Sequence, residues 1–202
     1  MKISIIIPYY KTFDMTKELL SNLKKQKKDR PIEIILIDDS GDGEKLSQYV
    51  DTYIRNIKNL GVAGSRNLGV SQAKGNYITF IDCDDNISSD YIKVLLELAD
   101  QDNDLSWISW TSKYGDAIVD STKQINIAPW GCLFKRNIFN TITFNNKLNV
   151  GEEPEFWNAV FSLRELKIGF SSKVIYYYNI REDSLTRRYN KGEVPRERKE
   201  EN

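Results

Sequence analysis

Apolar positions follow two alternating patterns along the chain. Residues 3–7 (ISIII) and 33–37 (EIILI) are short, isoleucine-rich runs, each closed by a turn-forming or acidic residue. Continuous runs of this kind suit strands buried on both faces. Between them Met15, Leu19, Leu20 and Leu23 recur at helical spacing. Asp14 stands where an N-cap is expected, and lysines fill the last turn, where the helix dipole favours cations. The unit is β-α-β, which predicts parallel strands joined by a right-handed crossover. The alternation continues with a helical stretch near 44–52, a weak strand at 53–57 and a helix over about 63–74 stopped by Gly75. The apolar run YITFI at 77–81 follows, then an amphipathic helix carrying Tyr91, Val94, Leu95 and Leu98 after Ser88 and Ser89, then the strand LSWISW at 105–110. Such an order predicts an α/β layered domain.

Residues 111–150 are less regular, with short β-prone pieces such as CLF and ITF. A last helix is expected from Glu153 or Pro154, with Phe156, Val160 and Leu163 on one face, and VIYYY at 174–178 reads as a strand. From Arg187 the chain is dense in charge and poor in apolar residues, which predicts a mobile tail over 187–202. With no internal repeat or dividing linker, residues 1–186 are expected to form one domain.

Composition narrows the chemistry. Of 202 residues, 40% are hydrophobic and 11% aromatic, enough apolar surface for a folded globule. Lys plus Arg and Asp plus Glu are each 29, so no net field favours nucleic acid, and any anion must be bound locally. The chain has no histidine. That excludes Ser-His-Asp and Cys-His nucleophiles, His-ligated zinc and an imidazole base, leaving proton transfer mainly to carboxylates. Two cysteines outside any CxxC pair fit a reducing, cytoplasmic setting. The apolar run before Pro8 is shorter than a signal-peptide core, and no apolar stretch approaches the ~20 residues needed to span a bilayer.

In an open parallel sheet, ligands bind beyond the carboxyl ends of the strands. Those ends carry Pro8, Tyr9 and Tyr10, then Asp38, Asp39 and Ser40, then Asp82, Cys83, Asp84 and Asp85. Five carboxylates there repel one another unless a cation or a hydrogen-bonding ligand intervenes. Hard divalent ions suit them, combining one or two carboxylates with phosphates and water. An isolated Asp pair is equally consistent with acids that end a strand and cap a helix. Two such clusters, with Arg66 and Arg181 as anion partners, favour a metal–diphosphate site. Trp130 and Trp157 suit a sugar or acceptor groove, although Trp157, next to Phe156, suits a core equally.

Four segments, "SIIIPYY", "EIILIDDS", "NLGVAGSRNLGVSQAKGNYITFIDCDD" and "GEEPEFW", occur in an order and spacing that resemble the family 2 glycosyltransferases over about residues 3–186. The resemblance implies the GT-A fold: a Rossmann-like, mostly parallel central sheet with helices on both faces and a smaller antiparallel acceptor-side region. Residues 1–100 would then bind nucleotide and 101–186 the acceptor. It implies that Pro8 and Tyr10 pack on the base, Asp39 accepts the uracil N–H, Arg66 lies beside the nucleotide and Asp82 near the ribose. Asp84 would hold Mn2+ or Mg2+ on the diphosphate, and Arg181, with the run to Arg188, would close over it. Glu153 matches the family's catalytic aspartate, with Glu152 and Glu155 as alternatives, and Ser65 stands where alanine is more usual. The implied reaction is inverting transfer of a hexose from a nucleoside diphosphate sugar, UDP-linked by family habit, to a hydroxyl of a saccharide, lipid-linked or protein acceptor. Rival expectations are a receiver-type signalling domain phosphorylated on Asp82 with Lys135 as its lysine, a dehalogenase-type phosphatase using Asp82 and Asp84, and a catalytically silent sugar-nucleotide binder.

Overall fold

In the computed structural model, which describes residues 1–112, 118–123, 128–163 and 165–198, the isoleucine-rich runs form the middle of a parallel block. Strands β1 (Ile3–Tyr9), β2 (Ile32–Asp38), β3 (Thr52–Arg55) and β4 (Tyr77–Phe80) lie in the order β3-β2-β1-β4, all parallel. The remaining strands are β5 (Asn86–Ile87), β6 (Leu105–Ser112), β7 (Ile118–Val119), β8 (Cys132–Lys135) and β9 (Ile168–Tyr178). They extend the sheet past β4 in the order β8-β6-β9-β5, with β7 paired to β6. Here β8 runs antiparallel to both β4 and β6, while β9 is parallel to β6. The sheet is thus a parallel block joined to a mixed second half.

The period of two sends alternate isoleucines to opposite faces. Ile3, Ile5, Ile7, Ile34 and Leu36 pack with Leu19, Leu20 and Leu23 of helix α1 (Phe13–Lys27) and with the apolar stripe of a helix spanning Tyr91–Asp100. Ile6, Ile35, Ile37, Ile78 and Phe80 pack on the other face with Ala63 of helix α2 (Gly61–Gln72), and the Tyr91–Asp100 helix is α3. Helix α4 (Glu153–Ser162) closes that second face with Phe156, Trp157 and Val160. Trp157 stacks on Trp107 at 5.8 Å and Phe156 on Phe144 at 4.2 Å, so Trp157 is a core residue. Trp130 is also buried, with its ring 4.5 Å from that of Tyr176.

The turn into β4 needs a glycine. A Cβ on Gly75 would lie 2.6 Å from the Ser4 amide nitrogen, and the Gly75 N–H instead donates to Ser4 Oγ at 2.9 Å. Buried Glu33 completes the knot by accepting from Ser4 Oγ at 2.5 Å and from the Lys74 N–H at 2.6 Å.

Several elements differ from expectation. The stretch near 44–52 is only a 3-10 turn, Glu44–Tyr49, because Leu46 is its one buried residue and no apolar stripe exists to anchor an α-helix. Thr12, not Asp14, occupies the N-cap position of α1. The ITF segment is not a strand; Ile142 and Phe144 are drawn into the core as loop residues. Strand β9 starts at Ile168, and its pairing with β6 is irregular between Ile108 and Trp110, where Ser171, Val174 and Tyr176 are successive partners. Residues 187–198 are in contact with the domain, while residues 199–202 of the expected tail lie outside the described residues. Arg187 lies in helix α5 (Leu185–Asn190), and Glu197 forms an antiparallel bridge with Leu148. Among the described residues no helix is long and apolar enough to cross a membrane.

Candidate active site

Strand β1 lies between β2 and β4, and the connections after β1 and β3 leave on opposite faces through α1 and α2. This is the switch point at which open α/β sheets form their crevice. The ends of β2 and β4 are two strand spacings apart, about 10 Å.

At the end of β2 the two aspartates have different tasks. Asp38 is buried and accepts from the Tyr53 hydroxyl at 2.6 Å and from the Ser40, Gly41 and Gly43 amides at 2.7–3.0 Å. Burial alone would raise its carboxyl, but these donors outweigh it and hold the group below the usual carboxylate range. Asp39 accepts from the Leu60 and Gly61 amides at 2.6 and 2.7 Å and from Asn56 Nδ2 at 2.7 Å. It therefore pins the turn that starts α2, where Gly61 has a φ of +71°, in the left-handed region. Asp39 also lines an open cleft of about 510 Å³ with Tyr10, Ser40, Arg55, Asn56 and Asn59. Tyr10 is 49% exposed there, whereas Pro8 is buried inside β1 opposite Ile37 and does not line the cleft.

At the end of β4 the four residues of Asp82-Cys83-Asp84-Asp85 take separate partners. Asp82 Oδ1 accepts from Arg66 at 3.0 Å, and the same guanidinium donates to Glu152 at 3.0 Å. Arg66 is 2% exposed, lies over the Phe80 and Phe144 rings, and does not line the cleft. Burial opposes its charge, but Asp82, Glu152 and Glu153 outweigh burial and hold it protonated. Cys83 points into the α1 side, where Thr12 Oγ1 donates to its sulfur, and burial and Asp84 push its thiol up to about 12, which makes it inert. Asp84 pairs with Arg181 at 3.0 Å, and Arg181 in turn grips Asp183. Burial and the Asp82 charge raise the Asp84 carboxyl in spite of Arg181. Asp85 is buried, accepting from the Tyr176 hydroxyl at 2.6 Å and the Asn179 amide at 2.7 Å.

The three glutamates near the start of α4 are distinguished by their partners. Glu152 is tied to Arg66, and exposed Glu155 accepts from Asn145 Nδ2 at 2.8 Å. No hydrogen bond to the half-buried Glu153 carboxylate occurs among the described residues. Burial pushes it up to about 7; Arg66 opposes this, while Glu152 and Asp82 add to it. Arg66 thus joins the β4 acids and the α4 acids into one charged cluster.

A family profile described as Glycosyl transferase family 2 matches residues 4–164. The chain belongs to glycosyl transferase family 2. Glycosyltransferase GlyA of Streptococcus pneumoniae is 28% identical over 92% of this chain and 32% of its own length. The poly(ribitol-phosphate) beta-glucosyltransferase of Bacillus spizizenii is 29% identical over 91% of this chain and 33% of its own. The chain therefore spans about a third of the length of these two curated relatives. Among solved structures, S. aureus TarS 1–349 in complex with UDP-GlcNAc superposes with a TM-score of 0.78 at 24% identity, covering 92% of this chain and 61% of that one. A mannosyltransferase from Pyrobaculum calidifontis, in complex with GDP-Man and Mn2+, gives 0.69 at 16% identity, covering 91% and 58%. These likenesses establish the GT-A-like fold of the family 2 domain.

Membership in family 2 and the geometry dispose of the receiver expectation. Lys135 pairs with Tyr77 at the start of β4 and forms an ion pair with Asp102 at 2.7 Å. Asp82 lies five residues further along, roughly 16 Å away. A phosphorylated Asp82 would have Arg66, not Lys135, beside it.

Sequence reasoning missed three contributors. Glu152 as the second partner of Arg66 and the Tyr176–Asp85 bond join residues 86 and 91 positions apart, and no local pattern announces them. Tyr178 carries a hydroxyl raised first by burial and then by Asp85, Asp82, Asp84 and Glu153, which locates it among all the acids. The tyrosine run itself was the available signal.

Proposed function

We propose that this family 2 domain transfers a hexose from a nucleoside diphosphate sugar to an acceptor hydroxyl with inversion, Glu153 acting as base. The observation that carries the reading is the state of Glu153: half-buried, raised to about 7, and free of any hydrogen bond among the described residues, at the edge of the cluster joined by Arg66. A carboxylate held that way has no structural duty, and its basicity matches a proton transfer near neutral pH. In one displacement, Glu153 takes the acceptor proton as the new C–O bond forms at the anomeric carbon and the bond to the diphosphate oxygen breaks. Glu152 and Glu155 are less suited because each already holds a partner.

The nucleotide end is assigned to the cleft of Tyr10, Asp39 and Asn56. Asp39 Oδ2 has a single internal donor, so one acceptor position remains for a base N–H, uridine being the preferred nucleoside. Pro8 supports this wall from inside β1, and Arg66 acts by holding Asp82 and Glu152 rather than by touching the nucleotide. Asp82 and Asp84 fit Mn2+ or Mg2+. Their oxygens are hard donors, and burial followed by the Asp82 charge keeps the Asp84 carboxyl raised even with Arg181 present, a repulsion that a cation would relieve. No group of three or more ligating side chains gathers among the described residues, so phosphate oxygens and water would complete the shell. When bound, the metal supplies charge compensation for the leaving diphosphate, and Arg181 adds to it.

The silent-binder reading is disfavoured by the unpartnered Glu153. The deciding experiment is a thermal-shift panel of UDP- and GDP-sugars with and without manganese, followed by donor turnover. Stabilisation by one nucleoside diphosphate sugar and turnover abolished in Glu153→Gln, with binding kept, is expected. Absence of stabilisation by every donor, or unchanged turnover in Glu153→Gln, refutes the proposal.

A further inference from the structure

The segment that follows α5 ties two parts of the site together. The Arg198 N–H donates to the Lys147 carbonyl at 2.8 Å, and the Asn149 N–H donates to the Arg196 carbonyl at 2.6 Å. Asn149 Nδ2 adds bonds to the carbonyls of Pro195 at 2.9 Å and Glu197 at 3.3 Å. Residues 195–198 are thereby held as a short antiparallel partner of the chain just before Gly151-Glu152-Glu153.

The same segment reaches the other end of the site through one side chain. Arg198 Nη2 donates to the Asn59 carbonyl at 2.6 Å and to Asn59 Oδ1 at 2.9 Å. Asn59 lines the cleft and donates from Nδ2 to the Asp39 carbonyl at 3.1 Å. The guanidinium occupies the space where a side chain at Gly61 would begin: a Cβ there would lie 2.0 Å from Arg198 Nη1. Gly61 is the residue whose N–H is fixed by Asp39. The cleft wall, the start of α2 and the approach to Glu153 thus share one clamp.

We propose that Arg198 is a positioning residue for donor binding: through Asn59 it fixes the cleft wall that receives the nucleoside diphosphate, while residues 195–198 join that wall to the turn preceding Glu153. This rests on the assignment of the cleft to the nucleotide. Arg198 touches neither the acids nor the reacting atoms, so its loss should act on donor affinity and leave the chemical step alone. Both contacts come from the single nitrogen Nη2, so a lysine ammonium has donors enough for them but lacks the planar group that fills the space beside Gly61.

The test compares wild type, Arg198→Ala and Arg198→Lys by UDP titration with manganese, by donor KM and kcat, and by amide hydrogen exchange of residues 56–61 and 147–152. Arg198→Ala is expected to weaken UDP and raise donor KM about tenfold, the size of one lost charge-assisted contact, with kcat within about twofold. Exchange should quicken in both segments, and Arg198→Lys should recover part of each effect. Unchanged UDP affinity and KM overturn the proposal even if exchange quickens, because the clamp is then structural only. If wild type binds neither UDP nor any donor, the functional reading fails by itself, and the exchange data still judge the clamp: unchanged protection of both segments overturns it.

Discussion

Replacing Glu153 with glutamine should remove activity and strengthen the fold, two effects of opposite sign from one atom. The Glu153 carboxyl is raised from an ordinary value of 4.5 to about 7, chiefly by burial. Between those pH values the folded chain holds a proton that the unfolded chain has released. The contribution to stability is complete below about 4.5, is lost progressively as pH rises through about 7, and leaves the ionised group as a net burden above it. At about 1.4 kcal/mol for each tenfold in proton affinity, the full burden is about 3 kcal/mol. The carboxylate keeps part of its water, so about 1–3 kcal/mol is expected. For a chain of this length that raises the melting temperature by about 3–10 °C in Glu153→Gln at pH 8. The gain should vanish near pH 4.5, where wild type is already neutral at this position. Calorimetric melting of both proteins at several pH values between 4.5 and 8 measures it. A glutamine variant no more stable than wild type at pH 8, or a gain that does not change with pH, refutes the claim that Glu153 is an isolated, desolvated acid.

Three further outcomes follow from the same cluster. The kcat/KM profile should show an acid limb near pH 7, with activity falling as Glu153 gains its proton; a limb near 4 in the free enzyme would place the base elsewhere. Arg66→Met should cost about 3–5 kcal/mol in denaturant unfolding, because Asp82 and buried Glu152 lose their common counter-charge; a loss under about 1 kcal/mol would mean the two acids do not depend on it. Asp84→Asn should weaken donor binding in the presence of manganese and leave metal-free binding unchanged, as read by titration calorimetry, and equal weakening with and without the ion would remove Asp84 from the ion's shell.

The parallel half of the fold was legible because its signals are local. ISIII and EIILI are both strands buried on two faces, and the spacing of Leu19, Leu20 and Leu23 marks the face of α1 that meets them. The strand-end rule likewise located Asp39, Asp82 and Asp84, since each lies within a few residues of an apolar run. What those acids hold was not legible. Arg66 carries the mark of a ligand-binding arginine in sequence, yet its partners are 16 and 86 residues away and it is enclosed by Phe80 and Phe144. Residues 113–117 and 124–127, part of the stretch with no readable acceptor signal, lie outside the described residues. Residues 187–198 differ from the expected mobile tail for another reason: their attachment uses main-chain carbonyls and Arg198 Nη2, and neither depends on the apolar content by which mobile tails are recognised.

The irregular pairing of β6 with β9 sets which tyrosine meets the acid loop. Three extra residues of β9 are taken up opposite Ile108–Trp110, so that Tyr176 comes opposite Trp110 with its hydroxyl on Asp85. Side chains alternate faces along a strand, so losing a single residue between Ser171 and Val174 would bring Tyr177 to that place and turn Tyr176 away. Indels in this short stretch are therefore a way to rewire the floor of the site without altering any residue that lines it.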